Sequence, residues 1–102
     1  QVNRDLSMED VVRKVVEVTG VDEDNIVGSS RKKEFVEARQ TAMFLCRNLL
    51  DASLSSVGMY FGGRDHTTVM HAIKSIEQKK IEKAKINHTI NQITSDFSSN
   101  LF

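Results

Sequence analysis

Proline and tryptophan are absent from the 102 residues, and cysteine occurs once, at position 46. Without proline the chain has no polyproline linker and little of the vocabulary of a turn-rich β-fold, so the composition favours helices. A single cysteine cannot close a disulfide within the chain, which excludes a stapled secreted framework. Cys46 falls on an apolar helical stripe and reads as core rather than as a nucleophile. The histidines lack zinc-site spacing, so no metal is expected. Neither a Gly-x-x-x-x-Gly-Lys-Ser/Thr phosphate loop nor a nucleophile–base pair occurs, so no enzyme activity and no cofactor are expected of this chain. No apolar run approaches the ~20 residues needed to span a bilayer, and no signal-peptide pattern opens the sequence. A cytoplasmic protein is the expectation.

What remains is ordinary for a folded domain: 39% apolar and 27% charged residues, in a length suited to one core. We expect a single domain over 1–102, residues 1–6 reading as the end of a linker. Formal net charge is zero, but its distribution is not even. Seven acids face three bases up to Val27, whereas eleven bases face seven acids from Gly28 onward. Binding a polyanion needs a local positive surface rather than a positive total, so neutrality does not exclude nucleic acid.

The periodicity predicts an all-α fold of five to six helices. Ser7 with Asp10 three residues on forms a capping-box signature, followed by Val11, Val12, Val15 and Val16 at helical spacing and closed by Gly20. Asp22 opens a short turn ending at Gly28. Ser29–Lys33 reads as a polar basic loop. The longest helix, about Phe35 to Leu50, carries an apolar stripe through Ala38, Ala42, Leu45 and Leu49, with Arg39, Gln40 and Arg47 off it. Ser53 caps a short helix stopped by Gly62-Gly63, and Asp65 caps the next. A last amphipathic helix carries Ile86, Ile90, Ile93 and Phe97. No glycine or proline marks the end of the fifth helix.

A short helix, a glycine turn and a second helix, over about 53–79, amount to a helix-turn-helix. On the second helix Thr67, His71, Lys74 and Gln78 share one face, at i, i+4, i+7 and i+11, with Val69, Ile73 and Ile76 opposite. One face is therefore core, and the other is a row of donors, acceptors and one cation. The first residues of such a helix, here Asp65, His66, Thr67 and Thr68, are the ones that reach base edges in a major groove. Their chemistry suits that use, since threonine methyls match thymine methyls and a carboxylate accepts from cytosine N4.

The stretch Val57-Gly58-Met59-Tyr60-Phe61-Gly62-Gly63-Arg64-Asp65-His66-Thr67-Thr68-Val69-Met70-His71-Ala72 closely resembles the signature of the C-terminal DNA-binding domain of the bacterial DnaA replication-initiator family. Arg31-Lys32-Lys33-Glu34-Phe35-Val36-Glu37-Ala38-Arg39-Gln40 resembles the same family's basic loop and following helix. The resemblance covers Ser7 to about Lys79. It implies that Arg31 enters a minor groove and that Arg39, Asp65, His66, Thr67 and Thr68 meet bases in the adjoining major groove. Lys32, Lys33, Gln40, Arg47, Leu54, Ser55, Arg64, His71 and Lys74 are then expected along the phosphate backbone. The implied partner is double-stranded DNA carrying a TTATCCACA-like DnaA box at a replication origin, on the nucleoid. ATP or ADP with magnesium, and contacts with other protomers, are implied for domains outside this chain. Ser29-Ser30, Lys33 and Thr41 depart from the residues common at those places.

A competing class is a helical interaction module that docks a regulatory protein or acidic phospholipids. The acids Glu9, Asp10 and Glu17 on the first helix oppose an anionic surface, and such a module leaves the basic loop and the polar helix face without a purpose.

Overall fold

The computed structural model describes residues 6–99, six helices in chain order: α1 (Met8–Thr19), α2 (Glu23–Val27), α3 (Lys33–Leu50), α4 (Leu54–Tyr60), α5 (His66–Glu82) and α6 (Ala84–Ser99). The fold is all-α, as the periodicity predicts. Of the linker reading for 1–6, residues 1–5 lie outside the described residues, and Leu6 packs on the core.

Local chemistry fixes the helix starts. Ser7 and Asp10 form the reciprocal capping box, the Ser7 amide donating to the carboxylate at 3.0 Å and the Asp10 amide to Ser7 Oγ at 3.2 Å. Asp22, Ser53 and Asp65 cap α2, α4 and α5 by accepting from the amide three residues on. Gly20 ends α1 in the left-handed region at φ 79°. One boundary departs from expectation, and one that the sequence leaves unmarked is fixed. Lys33 is not a loop residue but the first of α3, and Lys32 occupies its N-cap without a side-chain bond. The fifth helix runs to Glu82, and Lys83 breaks it in extended backbone.

Helix α3 is the axis on which the rest is hung, packing against every other helix. Positions 41–46 are buried all round it, including Met43, Phe44, Leu45 and Cys46. Helix α1 contributes Val11, Val12 and Val15, all with no exposed surface. Those β-branched residues are poor helix formers, so packing holds α1. Ile86, Ile90, Ile93 and Phe97 of α6 turn inward at the expected spacing. Ion pairs bind the far end of the bundle: Lys79 and Lys83 both reach Glu37, at 3.8 and 3.2 Å, and Lys14 reaches Asp96 at 3.4 Å. No helix among the described residues is long and apolar enough to cross a membrane.

Candidate nucleic-acid interface

The turn between α4 and α5 is built by glycine. Gly62 and Gly63 take φ values of 85° and 78°, which other residues adopt only with strain. Gly58 has a different task. Its carbonyl accepts from the amides of Gly63 at 3.0 Å and Arg64 at 2.9 Å, and a Cβ there would stand 2.0 Å from the Arg64 carbonyl oxygen. A glycine inside a seven-residue helix is the sequence signal of such a close approach. Phe61, fully buried, anchors the turn in the core.

The start of α5 then projects freely. Asp65, His66, Thr67 and Thr68 are all exposed, as are His71, Lys74 and Gln78 further along. Val69, Ala72 and Ile76 form the buried side, and Ile73 is half-buried. The polar row is therefore on the surface, as its spacing predicts. Asp65 Oδ1 accepts from the Thr68 amide at 2.9 Å. That hydrogen bond holds its carboxyl below the usual carboxylate value. Gln78 departs from the row's free chemistry, since its Nε2 donates to Glu82 at 2.6 Å.

The basic loop leaves Ser29, Arg31, Lys32 and Lys33 exposed. Lys32 lies 3.8 Å from Glu34 and over the Phe35 ring. Its root is bound to the helix-turn-helix: Arg64 Nη2 donates to the Gly28 carbonyl at 2.7 Å, and Nη1 donates to the Phe61 carbonyl. Gly28 and Arg31 are three residues apart, a reach of at most ~11 Å. Arg64 directly precedes Asp65. The arm and the start of α5 thus emerge from one corner of the molecule.

Two arginines are placed otherwise than expected. Arg39, expected to read bases, is only 6% exposed. Its Nε donates to the Ile26 carbonyl at 2.9 Å and its Nη2 to the Asn25 carbonyl at 3.0 Å. The reason is local: a five-residue helix leaves its last carbonyls without intrahelical partners, and Arg39 supplies donors to the end of α2. Desolvation, then the neighbouring Arg64 charge, pulls its pKa down. Arg64, expected on the phosphate backbone, is half-buried and turned inward, as described above.

The other expected backbone contacts fall into two groups. Gln40 and His71 line a cleft of about 460 Å³ between α3 and α5, which the base-reading candidate Thr68 also borders, with Arg39 and Arg64 at its wall. Gln40 Oε1 is buried there and meets no donor among the described residues. Arg47 is exposed, and its Nη1 donates to the Ala52 carbonyl at 2.8 Å. It therefore lies against the connection that leads into Leu54 and Ser55, which open α4. Ser55 is exposed, whereas Leu54 is half-buried against the core.

A family profile described as the bacterial dnaA protein helix-turn-helix matches residues 8–76. The chain belongs to that family. It is 41% identical, over 93% of its length, to the chromosomal replication initiator protein DnaA of Corynebacterium jeikeium, and 41% identical, over 90%, to that of Bifidobacterium animalis subsp. lactis. It spans 17% and 16% of those two proteins. Among solved structures, a DNA replication initiation factor superposes with a TM-score of 0.79 at 33% identity, covering 93% of this chain and 29% of that one. The AMPPCP-bound DnaA of Aquifex aeolicus gives a TM-score of 0.68 at 33% identity, covering 92% of this chain and 29% of its own. The stretch matched to the DnaA family takes in the arm, α3 and the first eleven residues of α5, while α6 lies beyond it.

Proposed function

We propose that this chain binds double-stranded DNA sequence-specifically, at DnaA-box elements, as the origin-recognising part of a longer replication initiator. The start of α5 would enter a major groove with Asp65, His66, Thr67 and Thr68 on base edges, while Arg31 enters the adjacent minor groove. Narrow A·T-rich minor grooves concentrate negative potential, which suits a guanidinium there. Lys32, Lys33, Arg47, Ser55, His71 and Lys74, all on the surface, would fix register through phosphates. The observation that carries this reading is the common corner from which the basic arm and the exposed first turn of α5 emerge, held by the Arg64–Gly28 hydrogen bond.

The TTATCCACA-like box, the origin and the contacts with further protomers belong to the longer protein's work and come by likeness to the family. So do ATP, ADP and magnesium: the 102 residues contain no phosphate-cradling Gly-x-x-x-x-Gly-Lys-Ser/Thr loop. Such a protein would act on the nucleoid of a bacterial cytoplasm.

Fluorescence anisotropy with a box duplex and a scrambled duplex, at several salt concentrations, tests the reading. Preference for the box by 10³-fold or more at fixed salt is the expected outcome. Equal affinity for both, with the same salt slope, would reduce the chain to a non-specific polyanion binder.

A further inference from the structure

We infer that Arg64 is a positioning residue, which sets the offset between the minor-groove arm and the major-groove helix rather than touching the duplex. This rests on the two-groove reading above. Three observations converge on it. Its two terminal nitrogens each donate to a carbonyl on opposite sides of the corner, Gly28 at the root of the arm and Phe61 in the helix turn. The segment it grips is fixed from behind by Arg39, whose bonds to Asn25 and Ile26 hold the end of α2 against α3. Gly62 seals the gap between them: a Cβ at that position would lie 3.3 Å from Arg64 Nη1 and 3.4 Å from the Val27 carbonyl. Residues 25–28 are thereby pinned between α3 and the turn, immediately before the chain enters the arm.

The geometry needs a guanidinium. A planar fork can satisfy two carbonyls at once, whereas an ammonium is a point charge on a flexible stem. Arg64 and Arg39 are also close enough to repel each other, and among the described residues neither meets a carboxylate within ion-pair distance. Within the protein, the two positive charges of the corner are therefore met by carbonyl dipoles and by no carboxylate, a state that the approach of a duplex's phosphates relieves. Positioning and a favourable local potential are supplied by the same pair.

Arg64→Lys, which keeps the charge, separates this role from a phosphate contact. The variant's fold is checked first by its helical signal and melting temperature. With Arg64 as a tether, Arg64→Lys weakens the box duplex on the order of tenfold while scrambled DNA and the salt slope are unchanged. Arg31→Ala should then cost less in the Arg64→Lys background than in the unaltered chain, because the arm is no longer held in place. Full retention of box affinity by Arg64→Lys, together with a salt slope lowered by about one unit in Arg64→Ala, would make Arg64 a phosphate contact and overturn the inference. A second measurement uses the unaltered protein: one base pair inserted between the arm's segment and the helix's segment displaces one from the other by about 3.4 Å. A pinned arm loses the Arg31 contribution on that duplex, and unchanged affinity would show an arm free to adjust. If the unaltered chain does not discriminate box from scrambled DNA, the binding reading falls and this inference with it; discrimination that survives both tests undiminished sinks this inference alone.

Discussion

Thr67, the second residue of α5, is exposed and accepts no structural duty elsewhere in the fold. Alanine at this place is a slightly better helix former than threonine, so Thr67→Ala should leave stability unchanged or marginally raised. Its hydroxyl and methyl are the groups that could distinguish bases. The expected loss on a box duplex is about 1–3 kcal/mol, with little change on scrambled DNA; equal losses on both would remove Thr67 from base reading. Arg47 makes a contrasting case. Exposed beside the start of α4, it is suited to a phosphate, and Arg47→Ala should weaken all sequences alike. The slope of log K against log salt should fall by about 0.9, and a slope that does not move would take Arg47 out of the set of phosphate contacts. Both residues were legible because each lies off an apolar stripe and is exposed. Arg39 lies off a stripe too, yet it is buried. Helical periodicity describes a residue's own helix, and what covers Arg39 is the end of α2, a five-residue element whose placement no local pattern encodes.

At the scale of the element, capping chemistry made α1, α2, α4 and α5 readable, since Ser7, Asp22, Ser53 and Asp65 all cap where their spacing places them. The join of α5 to α6 was not readable, because Lys83 breaks the helix without glycine or proline, in a run whose lysines are anchored on α3 through Glu37. Asp65 gives α5 a pH dependence of known sign. Its carboxyl is held below 3.8 by the Thr68 amide, so the ionised cap stabilises the native helix fully above that value and is lost as pH falls through the folded-state pKa. The Thr68 amide resonance should therefore shift only in acid, below about pH 4, and Asp65→Asn should flatten that response while keeping a cap of similar quality. A Thr68 shift centred near neutrality would refute the assignment. Gly58 supplies the element's second test. Glycine to alanine in a helix ordinarily gains about 0.5–1 kcal/mol. Here the new Cβ would meet backbone, 2.0 Å from the Arg64 oxygen and 3.1 Å from its carbon, and no side-chain rotation relieves that. Gly58→Ala should instead destabilise by about 1–3 kcal/mol or more, read as a lower denaturation midpoint at unchanged m-value. A gain in stability would mean the turn can yield.

For the molecule as a whole, Cys46 offers a reporter that touches neither groove. It has no exposed surface in the C-terminal third of α3, and burial raises its pKa to about 12. Thiolate, not thiol, attacks an alkylating reagent, so the native protein should be inert and labelling should require an opening that exposes the core. Because α3 packs against all five other helices and Cys46 is wholly covered, no small local movement should uncover the thiol, and the labelling rate should follow the population of the globally unfolded chain. Any ligand that binds only the folded state must then slow labelling by the factor 1 + [L]/Kd. Box duplex at a hundred times its dissociation constant should slow Cys46 labelling about a hundredfold, while scrambled duplex at the same concentration has a much smaller effect. The two sites are linked only through folding, so this measurement weighs sequence-specific binding from the core outward. Fast labelling that ignores the duplex would show that Cys46 is reached by a local path, and that α3 does not bind the six helices into one cooperative unit.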